Sequence, residues 1–317
     1  MQSYCALRTV SLKSDGFYLN GERYFIRGVL DQGYFEGGWY TPPDEALIIK
    51  DIERTLALGF NLTRKHQKIE DPRFYYWADR LGLMVWAEMP SGRIFSSQLK
   101  TDLTQQWMEV LAALQHHPSV VAWVPFNESW GVWHQSTRIE QQDWVTAMFY
   151  LTKAFDPSRP VIANDGWEHV AGDAWALHLY QQSGRDLLER LKVLIDNPRL
   201  GVADTEGARV GALHPDRVQG LPILITECGG VGYDPDRRPS SEDFAYGDWP
   251  QNEGEFKARL SDLFNALNAS NQIIGFVWTQ LTDVAQEING LLYFDRTPKV
   301  DIDWLCAQVT GRASTGQ

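Results

Sequence analysis

Short apolar and β-branched runs alternate with helix-period patterns along nearly the whole chain, and that rhythm predicts a parallel sheet whose strands are joined by crossover helices. Candidate strands are Tyr24 to Val29, Phe60 to Arg64, Met84 to Glu88, Val120 to Asn127, Val161 to Asn164, Ala176 to Tyr180, Ile223 to Glu227 and Ile274 to Thr279. Between the first two, Pro43 and Asp44 open a helix, Ile48, Ile52 and Leu56 recur at four-residue steps, and Gly59 closes it. Further helices are expected over Pro72 to Leu81, Leu99 to His116, Arg138 to Phe155, Asp186 to Ile195 and Glu253 to Ala269. Eight strands separated mainly by helices predict an α/β fold of the (β/α)8 TIM barrel type. An open doubly wound sheet stays as the alternative, because strand order is not written in the sequence.

The connections are uneven. The stretch from Cys228 to Asn252, containing GGVGYDPDRRPSSEDFAYGDWPQN, is long, polar and rich in Gly, Pro and Asp, the composition of a functional loop on the C-terminal rim of a barrel. At the start, SYCALRTVSL alternates like an edge strand before a turn at Ser14, Asp15 and Gly16. No short-period repeat or low-complexity tract interrupts the pattern.

A length of 317 residues suits one large barrel domain, and 44% hydrophobic against 22% charged residues is ordinary globular composition. The net charge of −12 repels phosphate, so nucleic acid and anionic membrane surfaces are excluded as expected partners. Cys5, Cys228 and Cys306 are odd in number and widely spaced, which predicts neither a disulfide framework nor a zinc site. With no signal peptide pattern and no apolar run of membrane-spanning length, the chain reads as soluble; its compartment is left open, and a cytoplasmic one is compatible. The 13 Trp, 12 Tyr and 14 Phe supply core rings first, but sugar sites also use aromatic faces against pyranose C–H groups.

In a barrel, catalytic groups sit at strand C-termini. Glu88 in MVWAEMP, Glu128 in VVAWVPFNESWG and Glu227 in PILITECGG all end strands, where a carboxylate is costly unless it is paired or functional. Glycoside hydrolysis needs two carboxylates in different protonation states flanking one anomeric carbon, about 5 to 5.5 Å apart in the retaining case. The ends of the fourth and seventh strands of such a barrel lie across its mouth and can meet that distance. Arg64, ending NLTRK, is placed to supply the positive charge that keeps a nucleophile ionised.

FNESWG around Glu128 and ITECGG around Glu227 resemble the acid/base and nucleophile segments of glycoside hydrolase family 2, the β-galactosidase and β-glucuronidase family of clan A. NGERYFIRGVLDQ, GFNLTRKHQ, DPRFYYWADRLGLMVWAEMP and GFVWTQLTDV resemble further family segments in the family's order, so the likeness covers roughly residues 1 to 310. The resemblance implies that Glu128 protonates the leaving oxygen and then activates water, that Glu227 forms the glycosyl-enzyme, and that Asn127 holds the sugar 2-hydroxyl. It also implies that Arg64 sits beside Glu227, that Tyr180 hydrogen-bonds the nucleophile, and that Trp278 floors the sugar subsite. His66, Asp31 and His178 are candidate hydroxyl ligands, each with ordinary rim hydrogen bonding as the competing reading. Glu88 and Glu206 read as structural or secondary, Cys228 as a small buried residue, and Trp130, Trp133 and Trp167 as candidate linings of the sugar or aglycone subsites with packing as the competing reading.

Family 2 enzymes carry a sugar-binding β-sandwich and an immunoglobulin-like domain before the barrel. Residues 1–14 are accordingly expected to be a remnant strand or linker from such a domain, 15–310 the barrel and 311–317 a tail, with an oligomer expected if an edge is exposed. The Asn-x-Lys segment that β-glucuronidases place after the eighth strand is replaced by LTDVAQEINGLLYFDRTPK, which disfavours a glucuronide. The expectation is a retaining exo-β-glycosidase of β-galactosidase type acting on an oligosaccharide or glycoside, with no cofactor in the chemistry and a structural Mg²⁺ or Na⁺ left open. Two alternatives stand beside it. One is a carbohydrate-binding barrel or truncated domain without activity; the other is a metal-dependent hydrolase using His66, His178 and Glu88, for which no H-x-H or H-E-x-x-H pattern is present.

Overall fold

A computed structural model describes residues 4–202, 209–236 and 239–312. The chain begins with a small antiparallel sheet of β1 (Val10–Lys13), β2 (Gly16–Leu19) and β3 (Glu22–Tyr24). Asn20 and Gly21, both at positive φ, form the tight β2–β3 turn for which an Asn-Gly pair is suited. Phe17, with Val10, Leu12 and Leu19 beside it, packs onto the apolar side chains inside the barrel, so this sheet plugs one end.

Seven parallel strands follow: β4 (Ile26–Asp31), β5 (Leu62–Lys65), β6 (Met84–Glu88), β7 (Val120–Val124), β8 (Trp175–Leu179), β9 (Ile223–Gly229) and β10 (Gly275–Thr279). Their order is β7-β6-β5-β4-β10-β9-β8, so the first and last strands in sequence are neighbours and the sheet curls on itself. The gap between β7 and β8 is filled by 160–166. Ile162 N donates to Trp123 O at 2.9 Å, Asp165 N to Phe126 O at 2.9 Å, and His178 N to Gly166 O at 3.1 Å. The expected strand Val161 to Asn164 therefore takes the fifth place in a (β/α)8 TIM barrel, but through isolated bridges. Gly166, at φ +100° with His178 Nδ1 only 2.5 Å from where a Cβ would stand, turns the chain out of line before a full ladder forms.

Helices α1 (Glu45–Ala57), α2 (Pro72–Leu81), α3 (Ser97–Leu114), α4 (Ile139–Phe155), α5 (Gly184–Asp196) and α6 (Glu253–Ala269) lie near their expected places. Asp44 caps α1 by accepting from Leu47 N at 2.9 Å, which satisfies one of the orphan amides of the first turn. A seventh helix, α7 (Ile302–Thr310), was not anticipated; Asp301 caps it and it packs beside α6 and α1. Side chains alternate across the strands. Leu30, Leu62, Trp86, Val124, Ala176, Leu224 and Val277 fill the barrel, whereas Val29, Val85, Trp123, Leu177, Ile225 and Phe276 face the helices.

Candidate active site

The period of two decides which strand-end side chains reach the barrel mouth. On β5, Leu62 and Arg64 point inward; on β6, Trp86 and Glu88; on β8, Ala176 and His178, with Tyr180 continuing the same face. Strict alternation would send Glu227 outward, next in line after Thr226. Instead β9 carries an irregularity: Leu177 pairs with Ile225 but His178 pairs with Glu227, and on the other side Phe276 pairs with Ile225 but Trp278 with Cys228. This bulge turns both Thr226 and Glu227 inward, a re-aiming that such irregularities provide. Glu128 arrives by a different route. After β7 the chain passes through left-handed conformations at Glu128 (φ 53°) and Ser129 (φ 57°), held by Glu128 N donating to Asp165 O at 2.9 Å and Ser129 N to Asn164 Oδ1 at 3.0 Å. Non-glycine residues in that region are uncommon and mark sites where surrounding bonds impose the geometry.

Arg64, fully buried, is the hub. Its Nε donates to Glu88 Oε2 at 2.6 Å, Nη1 to Glu227 Oε1 at 2.9 Å and Nη2 to Asn127 Oδ1 at 2.7 Å, and Nη1 also faces Asp165 Oδ2 at 3.2 Å. Tyr180 donates its hydroxyl to Glu227 Oε2 at 2.5 Å and lies 3.0 Å from Thr279 Oγ1. His178 Nδ1 stands 2.7 Å from Glu128 Oε1 and 3.4 Å from Glu227 Oε2, while its Nε2 is in ion contact with Asp165 Oδ1 at 3.6 Å. Reachable ligand atoms of Glu128, His178 and Glu227 all lie within 4.8 Å of one another. His66 Nδ1 is 2.9 Å from Glu88 Oε1. A cavity of 510 Å³ opens beside this cluster, walled by Glu128, Trp167, His178 and Tyr180, with Tyr246 stacked on Tyr180 at 3.4 Å between ring centres.

Burial alone would raise the Glu227 carboxyl, but His178, Arg64, His66 and the Tyr180 hydroxyl outweigh it and hold Glu227 below the usual carboxylate range. Burial would likewise depress the His178 imidazole; Glu227, Asp165 and Glu128 reverse that and push it up to about 10. Asp165, despite complete burial, is held down to about 2 by Arg64, His178 and the Thr226 hydroxyl. The mouth therefore contains an ionised Glu227 between two cations, with Glu128 facing it across His178.

The structure brings together Glu128, Glu227, Asn127, Arg64, His66, Tyr180 and His178. Two expected site residues go elsewhere. Trp278 lies on the outer face of β10, 1% exposed, with its ring 4.3 Å from that of Phe264 of α6; Thr279, the next residue, takes the inward position. Asp31 is on the outer face of β4, where Lys65 Nζ at 2.6 Å and Gly33 N at 2.8 Å occupy its carboxylate. Both corrections follow from strand parity. Cys228 is also outward and buried, and burial pushes its thiol up. Trp130 and Trp133 pack edge to face at 4.3 Å on the rim, and Glu206 lies outside the described residues. His66 and Glu88 are paired with each other and with Arg64, apart from His178, so the suggested metal set does not converge.

Asp165 and Tyr246 were missed. Asp165 directly follows Asn164, the end of a candidate strand, so the strand-end rule that singled out Glu88, Glu128 and Glu227 applied to it as well. Tyr246 had no sequence signal, because its place against Tyr180 depends on how the loop after β9 folds back, with Tyr246 N donating to Gly230 O at 2.9 Å.

Residues 10–197 match the model of the family described as glycosyl hydrolases family 2, TIM barrel domain; that span includes Glu128 and ends before β9. A beta-glucuronidase of Sus scrofa is 29% identical over 163 residues, covering 49% of this chain and 24% of that protein. A beta-galactosidase of Thermoanaerobacterium thermosulfurigenes is 33% identical over 129 residues, covering 38% and 17%. In fold, a GH2 beta-galacturonidase from Eisenbergiella tayi bound to galacturonate superposes with a TM-score of 0.77 at 18% identity, covering 98% of this chain and 55% of that one. The chain thus spans about a quarter or less of those curated relatives and about half of the solved structure.

Proposed function

The chain belongs to glycosyl hydrolase family 2, and from that premise we propose that it removes terminal β-linked sugars by double displacement, with Glu227 as nucleophile and Glu128 as acid/base. The observation that carries this reading is the pair of carboxylates whose oxygens approach within 4.8 Å, with Glu227 held ionised by Arg64, His178 and Tyr180. So close an approach of the nearest oxygens favours the retaining separation of about 5 to 5.5 Å over the roughly 6.5 to 9.5 Å that an inverting enzyme leaves for its water. In the first step Glu227 attacks the anomeric carbon while Glu128 gives its proton to the leaving oxygen. In the second, Glu128 takes a proton from water, which attacks the same carbon and frees Glu227. Asn127, its Oδ1 anchored on Arg64, keeps its amide N–H groups for the sugar 2-hydroxyl. The chemistry uses two carboxylates, a proton and water, and calls on no metal.

Galactose is the leading sugar. The test is intact-protein mass after incubation with 2-deoxy-2-fluoro glycosyl fluorides of galactose, glucose, arabinose, galacturonate and glucuronate, followed by peptide mapping. A stable adduct on Glu227 supports the assignment. Turnover with inversion of the product, or an adduct on another carboxylate, overturns it; a folded protein that binds galactose without turnover or adduct instead supports a sugar-binding barrel.

A further inference from the structure

Beside Glu227 the rim carries a polar cluster that the two chemical steps leave unused. Gln32 directly follows β4 and Gln280 directly follows β10, so the two amides stand on adjacent strand ends. Gln32 Nε2 donates to Gln280 Oε1 at 2.9 Å and to Glu287 Oε2 at 3.0 Å; Gln280 Nε2 donates to Glu287 Oε2 at 3.0 Å and to Asn289 Oδ1 at 2.7 Å. The cluster is tied to the mouth through Thr279, whose hydroxyl meets that of Tyr180, itself bonded to Glu227. The loop after β9 locks it from above: Phe244 bridges to Glu287, with Phe244 N donating to Gln286 O at 2.7 Å and Ile288 N to Phe244 O at 3.1 Å.

We propose that Glu287, oriented by Gln32 and Gln280, reads hydroxyl groups of an uncharged terminal sugar and turns away uronates. This rests on the mouth being a glycosidase site. Among the described residues Glu287 makes no ion pair, both amide donors go to Oε2, and Oε1 has no hydrogen-bond partner. A carboxylate fixed through one oxygen and open at the other accepts strong hydrogen bonds from sugar hydroxyls. The Asn289 side-chain nitrogen is a buried donor with no partner, a group whose desolvation is uncompensated until something else supplies an acceptor. Meanwhile the cations near this rim are already engaged. Arg64 holds Glu88 and Glu227, Lys65 holds Asp31 and Glu70, Lys68 holds Glu70, Arg296 holds Asp51 and Lys299 holds Asp283. A sugar carboxylate would meet Glu287 and Glu227, and the cations just named are already paired with protein carboxylates. Burial and the neighbouring Glu227 raise the Glu287 carboxyl, while His66 and the two glutamines oppose the rise.

The test is kcat/KM for 4-nitrophenyl β-galactoside and 4-nitrophenyl β-galacturonide with the full chain, Glu287→Gln and Glu287→Lys. The wild type should favour the galactoside by at least about 100-fold, and Glu287→Gln should lower galactoside turnover by about 10- to 100-fold, the worth of a charge-assisted hydrogen bond. The preference should narrow in Glu287→Gln and narrow further in Glu287→Lys. Melting temperature and labelling of Glu227 by the fluorosugar show that each variant is folded and chemically competent. A wild type that prefers galacturonide, or a preference unchanged in folded Glu287→Gln, overturns the assignment. If no fluorosugar labels the wild type, the glycosidase reading has failed separately; saturation-transfer NMR with galactose and galacturonate then decides this one, since equal binding of the two sugars to wild type overturns it.

Discussion

Arg64 and Lys65 are consecutive residues on β5, both fully buried and both surrounded by carboxylates, yet they build two different kinds of charged cluster. Lys65 points outward, where it pairs with Asp31 at 2.6 Å and Glu70 at 2.7 Å and lies over the Phe74 ring, while Lys68 completes the group on Glu70. Two lysines meet two carboxylates under helices and loops, and the charges close on themselves. Arg64 points inward to Glu88, Asp165 and Glu227, with His178 between Glu227 and Glu128, and this group borders the cavity. Four carboxylates there face Arg64 and His178, with His66 on Glu88 as a third basic group. Burial of charge is thus common to both and diagnostic of neither. What separates them is the open wall and the unequal count of acid and base, which leave the inner cluster able to bind and exchange a proton.

The largest effect should come from Glu227→Gln, which keeps the shape of the inner cluster and removes the proposed nucleophile. Hydrolysis should fall on the order of 10⁴-fold or more, with a melting temperature within a few degrees of wild type by calorimetry; comparable loss without Glu227 being the labelled residue would assign the nucleophile elsewhere. Next, Arg64→Met and Lys65→Met should each cost about 3–5 kcal/mol in urea unfolding, since each strands buried carboxylates. Only Arg64→Met should also lower kcat/KM on the folded fraction, by about 100-fold or more; Lys65→Met should stay within about threefold of wild type. Equal activity losses would erase the distinction between the two clusters.

A smaller effect is expected from pH. His178 has a folded pKa raised to about 10, above an unfolded value of about 6.5, so its stabilising contribution is complete below pH ~6.5 and is lost as pH rises through about 10. Lys65 is also raised, but from a value near 10.5, so its contribution persists across that window. Unfolding free energies at pH 7 and pH 10 should show an alkaline loss that His178→Asn removes and Lys65→Met leaves in place. The smallest change concerns Trp278. As a packing residue between β10 and α6, Trp278→Phe should lower stability by about 1–3 kcal/mol with KM nearly unchanged; a large rise in KM at unaltered stability would return it to the sugar site.

Much of this was legible in advance because local chemistry decided it. Asp44 caps α1, Gly59 follows its end at positive φ, and α2 and α6 occupy the expected spans, since periodicity and capping act over a few residues. The strand-end carboxylates stood out because a charge ending an apolar strand is costly. The seventh helix escaped notice, since Ile302–Thr310 is short and its burial depends on α6 and α1. The sugar-site roles expected for Trp278 and Asp31 conflict with their strand parity, since Val277 and Leu30 beside them take the inward positions. For Glu227 the same parity rule would have failed, because a bulge overrides it.

The sequence by itself determined the element order, the alternating faces of the strands and the types of chemical group at their ends, all of which follow from bonding and side-chain periodicity within a segment. Tertiary structure alone decided that 160–166 completes the ring, that the β9 bulge turns Glu227 inward, and that Glu128 comes within 4.8 Å of it. The reason is physical: closing a sheet into a barrel makes the distance between strand ends depend on every register in the ring, and no single segment contains that information.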